Sequence, residues 1–424
     1  MSEVYKFGGA SIKDAEGVKN LAEIIRLATN KQLLIVVSAM GKTTNALEAL
    51  AMAYHARHQD THEMLEEIKN YHENIMLELF GNENRAAFDD VANAFVEIEW
   101  ILEEDPHDDF DYTYDQIVSL GEVVSSKIVN AYLNSTGISS RWLDARGFIH
   151  TDNTYREGKV NWDKTQNAIV SQLPAILEKQ VAVTQGFIGG TSENFTTTLG
   201  REGSDYTAAI FASSIKADAV TIWKDVPGVL NADPKWFDKT ELMPHISYHD
   251  AIELTYYGAT VIHPKTIKPL QNKSIPLYVR SFIHHGSPGT VISDHEKARH
   301  IPSFIFKVDQ VLISILPKDY SFIIEESLSH IFDILHSNRV KVNTMLNSAL
   351  SFSICVDNDP EKIKKLISRL SSTYKVVFNE GLELVTIRYY NQQTIDRVTL
   401  NKSVLLEVKS RHTCQMVMKN LPAG

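Results

Sequence analysis

The sequence predicts an α/β protein built on a central, mostly parallel sheet and followed by a smaller α+β region of ferredoxin-like order. Three observations support this. The run "QLLIVVSAM" (32–40) is continuously apolar over a strand's length, as a parallel strand covered on both faces requires. Strand, helix and strand follow one another from the first residues, the order that builds an α/β sheet. Beyond residue 301 the pattern changes to β-α-β-β-α-β.

In chain order, "EVYKFGG" reads as a short strand ending in a glycine turn. The helix in "DAEGVKNLAEIIRLATN" is expected to bury Val18, Leu21, Ile24, Ile25 and Leu27 on one face. "QLLIVVSAM" is the second strand. Residues 45–133 read as helical, interrupted by the acidic stretch "EEDPHDDFDYTYD" (103–115), which is expected to be a solvated loop because its acids lack regular metal-ligand spacing. "SSRWLDAR", "QVAVTQGFIGG" and "ADAVTIWKDVPGVL" are further strands, alternating with helices at 163–179 and 205–215, and the α/β pattern persists to about residue 293. Strand "QVLISILP", helix "ESLSHIFDILHSN", strands "VKVNTML" and "LSFSICVD", helix "PEKIKKLISRLSS" and strand "KVVFN" then make one ferredoxin-like module. A second, truncated copy starts at "LELVTIRYY". The expected divisions are 1–295, 301–380 and 381–424.

The chain has 424 residues, enough for two or three domains; 43% are hydrophobic and 22% charged, the balance of an ordinary globular protein. A net charge of -11 argues against nonspecific binding to nucleic acid or anionic membrane and favours small-molecule partners. Cys355 and Cys414 are too few for a disulfide framework or a cysteine-rich metal site. With no signal-peptide pattern at "MSEVYKFGGAS" and no apolar run of membrane-spanning length, a cytoplasmic location is expected.

Several motifs could handle phosphate. Lys6 stands at a strand end beside Gly8 and Gly9, where its ammonium and the exposed backbone N–H groups could meet the same oxygens; a surface lysine at an ordinary turn fits equally well. "SAMGKTTN" (38–45) ends like a Walker A loop, but the position five before Gly41 is Val36, inside a strand, which disfavours a P-loop. The hydroxyls of Ser38, Thr43 and Thr44 still lie between a buried strand and a helix start, where an anion is favoured. In "TTTLGREGSDYTAA" (196–209), Arg201 offers a planar fork for a carboxylate, Gly203 permits close backbone approach, and Ser204 with Asp205 falls where a helix would begin, so Asp205 also suits a cap. Glu202 is expected to face solvent. "WKDVPGVLNADPK" (223–235) is a turn-rich loop at a strand end, where α/β sheets bind ligands.

Taken together, "KFGGAS" (6–11), "VVSAMGKTTN" (36–45), "LGE" (120–122), "TQGFIGG" (184–190), "TTTLGREGSDYTAA", "DVPGVLNADP" (225–234) and "YGATVIHPKT" (257–266) resemble, in order and spacing, the aspartokinase branch of the amino-acid kinases. The C-terminal region resembles that family's regulatory ACT modules. The resemblance implies an amino-acid-kinase-like sandwich with ACT-type modules, and phosphorylation of the β-carboxylate of L-aspartate by Mg-ATP to 4-phospho-L-aspartate. It implies ATP and Mg²⁺ as cofactors, no metal held by the protein's own residues, and a homodimer formed through the ACT region.

Residue by residue, the resemblance assigns Lys6, Gly8 and Gly9 to the ATP phosphates, and Ser38, Thr44, Glu122, Arg201, Gly203 and Ser204 to the amino-acid substrate. Glu122 would meet its ammonium and Arg201 its α-carboxylate. Asp205 would organise Lys6, and Lys224, Asp225, Leu230, Lys235, Thr260 and Val261 would surround the nucleotide. The chain departs from the family at Lys224, where a small hydroxyl residue is frequent, and at Leu230, Lys235 and Thr260, where tyrosine, arginine and lysine are frequent; Lys224 is placed to restore the charge missing at Thr260. The turn "LPKDYSFIIEES" lacks the glycine common in effector-binding ACT modules, which weighs against inhibition by lysine or threonine. Other readings are a glutamate or acetylglutamate kinase and a catalytically weak amino-acid sensor. A fused homoserine dehydrogenase is not expected, since no dinucleotide-binding domain follows the ACT region within the chain.

Overall fold

A computed structural model describes the chain except residues 29–30, 238, 260–261, 295–299, 320 and 422–424. The chain divides into two compact units. One comprises Met1–Val229, Leu242–Ile252 and Val261–Ala298; the other comprises Leu230–Glu241, Glu253–Thr260 and Arg299–Gly424.

In the first unit, β1 (Ser2–Phe7), α1 (Ala15–Arg26) and β2 (Gln32–Val37) are followed by five helices: α2 (Thr43–His55), α3 (Thr61–Phe80), α4 (Arg85–Glu103), α5 (Phe110–Val118) and α6 (Leu120–Ser135). Next come β3 (Ser140–Leu143), α7 (Trp162–Leu177), β4 (Val181–Gln185), β5 (Ile188–Gly190), β6 (Thr196–Thr198), α8 (Gly203–Ile215) and β7 (Ala219–Lys224). The stretch closes with β8 (His245–Ser247), α9 (Tyr248–Tyr257), α10 (Pro264–Gln271), β9 (Leu277–Ser281) and β10 (Thr290–Ser293). Eight strands form one sheet in the order β3-β4-β2-β1-β7-β9-β10-β8, parallel throughout except for the β9–β10 pair. β5 and β6 make a separate antiparallel pair.

The pleat assigns faces. Tyr5, Phe7, Leu33, Ile35 and Val37 belong to the core formed with α1 to α6. Val4, Lys6, Leu34 and Val36 therefore point to the opposite face, where α8 packs against β1, β2 and β7. That alternation puts a lysine on the α8 side of the central strand.

Two expectations fail here. Leu27 is 72% exposed, because α1 ends at Arg26 and Leu27 is its C-cap, past the turn that faces the core. The acidic stretch 103–115 is only half a loop: Asp109 caps α5 by accepting from the Asp111 N–H, and Thr113, Tyr114 and Asp115 are buried. Helical spacing brings Thr113, Tyr114, Ile117 and Val118 to the core, while the intervening acids mask the pattern.

The second unit holds β11 (Ser303–Pro317), α11 (Glu325–Ser337), β12 (Val342–Asn347), β13 (Phe352–Asp357), α12 (Pro360–Thr373), β14 (Tyr374–Arg388), α13 (Gln392–Thr399), β15 (Lys402–Lys409) and β16 (Thr413–Asn420). Its single sheet runs β12-β13-β11-β14-β16-β15. β11 and β14 are each 15 residues long and pair along their length, with a register shift around Asp309, whose φ is +53°. The half of the sheet made by Gln310–Pro317 with β12, β13 and the start of β14 has the ferredoxin order. The other half pairs Ser303–Lys307 with the end of β14, then β16 and β15. The division expected at residue 380 thus falls inside a continuous strand. Segments from earlier in the chain join this unit, since Ala232 and Phe237 share a core with Phe304, Val385, Ile387 and Met416.

Candidate active site

At the carboxyl ends of β1 and β2, the first unit carries a cleft of about 690 Å³. Its centre is a charge cluster. Lys6 Nζ lies 2.7 Å from Asp205 Oδ1, and Lys224 Nζ lies 3.8 Å from Asp205 Oδ2. Lys6 reaches this position because residue 6 faces α8, and Asp205 because it stands in the first turn of that helix. Asp205 is not the helix cap; α8 begins at Gly203 with Glu202 as N-cap and has no side-chain cap bond. Burial favours the neutral acid, but Lys6 foremost and Lys224 next hold the Asp205 carboxyl below its ordinary range.

Glu122, at the start of α6, is 3% exposed. Its Oε1 accepts from the Ala39 N–H at 3.3 Å, and Oε2 has no hydrogen-bond partner among the described residues. Burial pushes its carboxyl up to about 8, against smaller opposing pulls that include the Ala39 N–H and the charge of Lys6. Glu122 lines the cleft, and a buried carboxyl oxygen without a partner there would accept from a ligand's donor.

The two glycine motifs let the loops approach one another. A Cβ on Gly9 would lie 2.3 Å from the Ala39 oxygen, and the Gly41 N–H donates to the Gly9 oxygen at 3.0 Å. This contact seats the β1 and β2 turns side by side. α2, which starts at Thr43, has no side-chain cap bond. Thr44 lines the cleft, while the Thr43 hydroxyl lies 3.4 Å from His72 Nε2 in the core. Gly203 serves packing, since a Cβ there would meet Phe187 at 2.7 Å.

The structure brings Lys6, Gly9, Ser38, Thr44, Glu122, Arg201, Gly203, Ser204, Asp205 and Lys224 to one cleft. Gly8 adjoins Lys6, with its would-be Cβ 3.7 Å from Nζ, and Asp225 is exposed in the turn after β7; neither is part of the cleft wall. Leu230 and Lys235 fall in the second unit, and Thr260 and Val261 lie outside the described residues. Glu202 does not simply face solvent: it lines the cleft, and its Oε2 accepts from the His263 N–H at 2.9 Å, tying the start of α8 to the start of α10.

Sequence reading missed Asp115 and Arg156. Asp115 is fully buried and accepts from the Thr198 N–H at 2.8 Å, the Thr198 hydroxyl at 2.7 Å and the Arg156 N–H at 2.9 Å. Burial raises its carboxyl to about 6 even so. Arg156 has φ +63°, a left-handed conformation that costs a non-glycine residue about 1–2 kcal/mol. The bond to Asp115 holds it there, and the residue lines the cleft. No sequence pattern announces this pair, because Asp115 sits among acids that read as solvated and Arg156 in a loop.

A model described as the amino acid kinase family matches residues 1–281, two thirds of the chain. Aspartokinase 2, chloroplastic, of Arabidopsis thaliana is 31% identical over 404 residues, which cover 91% of this chain and 71% of that protein. The chain belongs to the aspartokinase family. Lysine-sensitive aspartokinase 3 of Escherichia coli is 29% identical over 403 residues, covering 91% of this chain and 87% of that one. The crystal structure of E. coli aspartokinase III in complex with aspartate and ADP aligns with a TM-score of 0.82 at 25% identity, covering 98% of this chain and 96% of that one. Its aspartokinase fold accounts for both the mostly parallel sheet and the antiparallel, ACT-like C-terminal sheet. The family also has longer members: the chain spans about a third (32%) of the bifunctional aspartokinase/homoserine dehydrogenase 1 of Zea mays, to which it is 32% identical over 307 residues.

Proposed function

We propose that the chain transfers the γ-phosphoryl group of ATP to the β-carboxylate of L-aspartate, giving ADP and 4-phospho-L-aspartate. The observation that carries this is the Lys6–Asp205–Lys224 cluster, centred on buried Asp205, on the same cleft as Glu122 with its unpartnered oxygen. Family membership supports it, as does the aspartate and ADP complex of the E. coli relative.

The acceptor carboxylate is ionised at neutral pH, so it attacks phosphorus in line without a general base. The barrier lies in bringing two anions together. Lys6 stabilises the charge on the transferred phosphoryl oxygens, and Asp205 fixes the lysine's position. Glu122 takes the substrate ammonium, Arg201 the α-carboxylate, and Ser38, Thr44, Gly203 and Ser204 complete the acceptor pocket. Gly8, Gly9, Lys224 and Asp225 form the nucleotide side within the first unit.

Mg²⁺ would lower the charge on the phosphates. No group of three potential metal-ligating side chains occurs among the described residues. In this reading the ion is carried mainly by the phosphates and water, the usual arrangement for Mg²⁺ with nucleotides.

Residues 1–295 would act as the catalytic domain, with 301–380 and 381–424 as ACT-like modules that pair two chains. Edge strand β12, with Met345 and Leu346 exposed, supports that pairing. The location in this reading is cytoplasmic; no helix among the described residues is long and apolar enough to cross a membrane.

The test is ATP-dependent hydroxamate formation from L-aspartate. Lys6→Ala is expected to lower kcat by about 10²–10³, the cost of removing one charge-stabilising donor. Activity with another acid but none with aspartate would overturn the assignment.

A further inference from the structure

We infer that Arg156 is a second acceptor-binding arginine, set beside Arg201 to grip the α-carboxylate of the amino-acid substrate and so to set acceptor specificity. This rests on the proposed phosphorylation of aspartate in this cleft. Arg156 and Arg201 both line the cleft. Their backbones are neighbours, for a Cβ on Gly200, the residue before Arg201, would come within 3.2 Å of the Arg156 oxygen.

The guanidinium of Arg156 is positioned but not saturated. Its Cζ lies 4.1 Å from the centre of the Tyr114 ring, and the Tyr114 hydroxyl is a further polar neighbour of the guanidinium. Nη2 donates to Glu48 Oε1 at 3.4 Å and Nη1 lies 3.5 Å from Asp111 Oδ1. Both distances exceed the 2.7–2.9 Å or so of a strong charge-assisted bond. A guanidinium carries five N–H donors, so these long contacts leave it capacity for an incoming carboxylate. Arg201, by contrast, has no ion pair with any described residue, whereas Lys6 and Lys224 are both drawn to Asp205. Arg201, without an ion pair among the described residues, and Arg156, whose pairs to Glu48 and Asp111 are long, are the cleft cations placed to receive an acceptor's α-carboxylate, the group that such a pair of forks fits.

A side chain that merely braced the loop would contribute nothing to recognition, and the substrate's own chemistry separates the two roles. The discriminating variant is Arg156→Gly. At φ +63° glycine is the residue best suited to the backbone, and it keeps the N–H that Asp115 accepts, so the fold is retained. KM is measured for L-aspartate and for its α-amide, which keeps the β-carboxylate but not the α-carboxylate, each with saturating Mg-ATP.

Arg156→Gly is expected to raise the KM for aspartate at least tenfold and to leave the KM for ATP within twofold. The preference for aspartate over the α-amide should shrink by the same factor as the KM rise, and Arg156→Lys should recover part of it. A KM for aspartate within twofold of wild type, or an equal rise for both substrates, overturns the inference. Calorimetric binding of aspartate gives the same contrast without turnover. A wild-type chain that binds aspartate but does not phosphorylate it removes the proposed reaction alone; unchanged binding by Arg156→Gly removes the role of Arg156 alone.

Discussion

Glu122 shows how one buried group connects stability to binding. Burial holds its carboxyl at about 8, well above the ordinary carboxylate value near 4.3. Between those values the folded chain keeps a proton that the unfolded chain has released. This contribution to stability is therefore fully present below about pH 4.3 and is lost progressively as pH rises from there through 8. A substrate ammonium beside Oε2 would favour the ionised form, so aspartate binding near pH 7 is expected to release close to one proton. Calorimetry in buffers of different ionisation enthalpy measures that release, and Glu122→Gln should abolish it while raising the KM for aspartate by about tenfold or more, the loss of one charged hydrogen bond. Release that persisted in Glu122→Gln would assign the proton to another group. The part of the site that forms the first turn of a helix or follows a strand was legible as motif: Lys6, Glu122, Arg201 and Asp205 each sit in a short, glycine-marked or element-starting segment. The charge state of Glu122 was not, because it depends on what α6 packs against rather than on its neighbours in sequence.

At the scale of elements, Asp115 on α5 reinforces the backbone bond from the Gly158 N–H to the Thr198 oxygen that joins the 153–158 loop to β6: three donors from two segments converge on one carboxylate. Asp115→Ala would leave the buried N–H groups of Thr198 and Arg156 without their acceptor, and each such loss costs about 1–3 kcal/mol. A total loss of about 2–5 kcal/mol is expected in denaturant unfolding, with a fall in activity, since Arg156 and Thr198 both line the cleft. A midpoint unchanged from wild type would show that the loop is held by other contacts. The misreading of 103–115 as a solvated loop has the same origin. Its acids at 104, 105, 108 and 109 are exposed, as expected of a loop, and only the helical spacing of Thr113, Tyr114, Ile117 and Val118 distinguishes the segment that follows. Glu202 was misread for a related reason: its acceptor role is to an N–H 61 residues away, which no local pattern displays.

At the scale of the whole molecule, the order of strands and helices was legible because each element carries its own period, whereas the second unit's use of residues 230–241 and 253–260 was not, because those segments meet their partners only in space. The same holds for its sheet. Sequence reading separates two modules near residue 380, yet β11 and β14 run unbroken through both halves and pair along their whole length. The halves nevertheless keep distinct cores: Ile313 is buried with α11 and α12, and Ile387 with Phe237, Phe304 and Met416. If the two long strands couple these cores, removing side-chain volume from either should loosen both. Ile313→Ala and Ile387→Ala each empty a fully buried site, at a cost of about 2–5 kcal/mol. In the full-length chain, either substitution is expected to speed amide exchange in β13 and in β16 together, since opening one half breaks strands that the other half needs. Each substitution speeding exchange only in its own half would mean that the register shift at Asp309 acts as a hinge between two independently opening modules. Joint acceleration would make the six strands one cooperative unit, able to pass a change in either core to the other through continuous backbone.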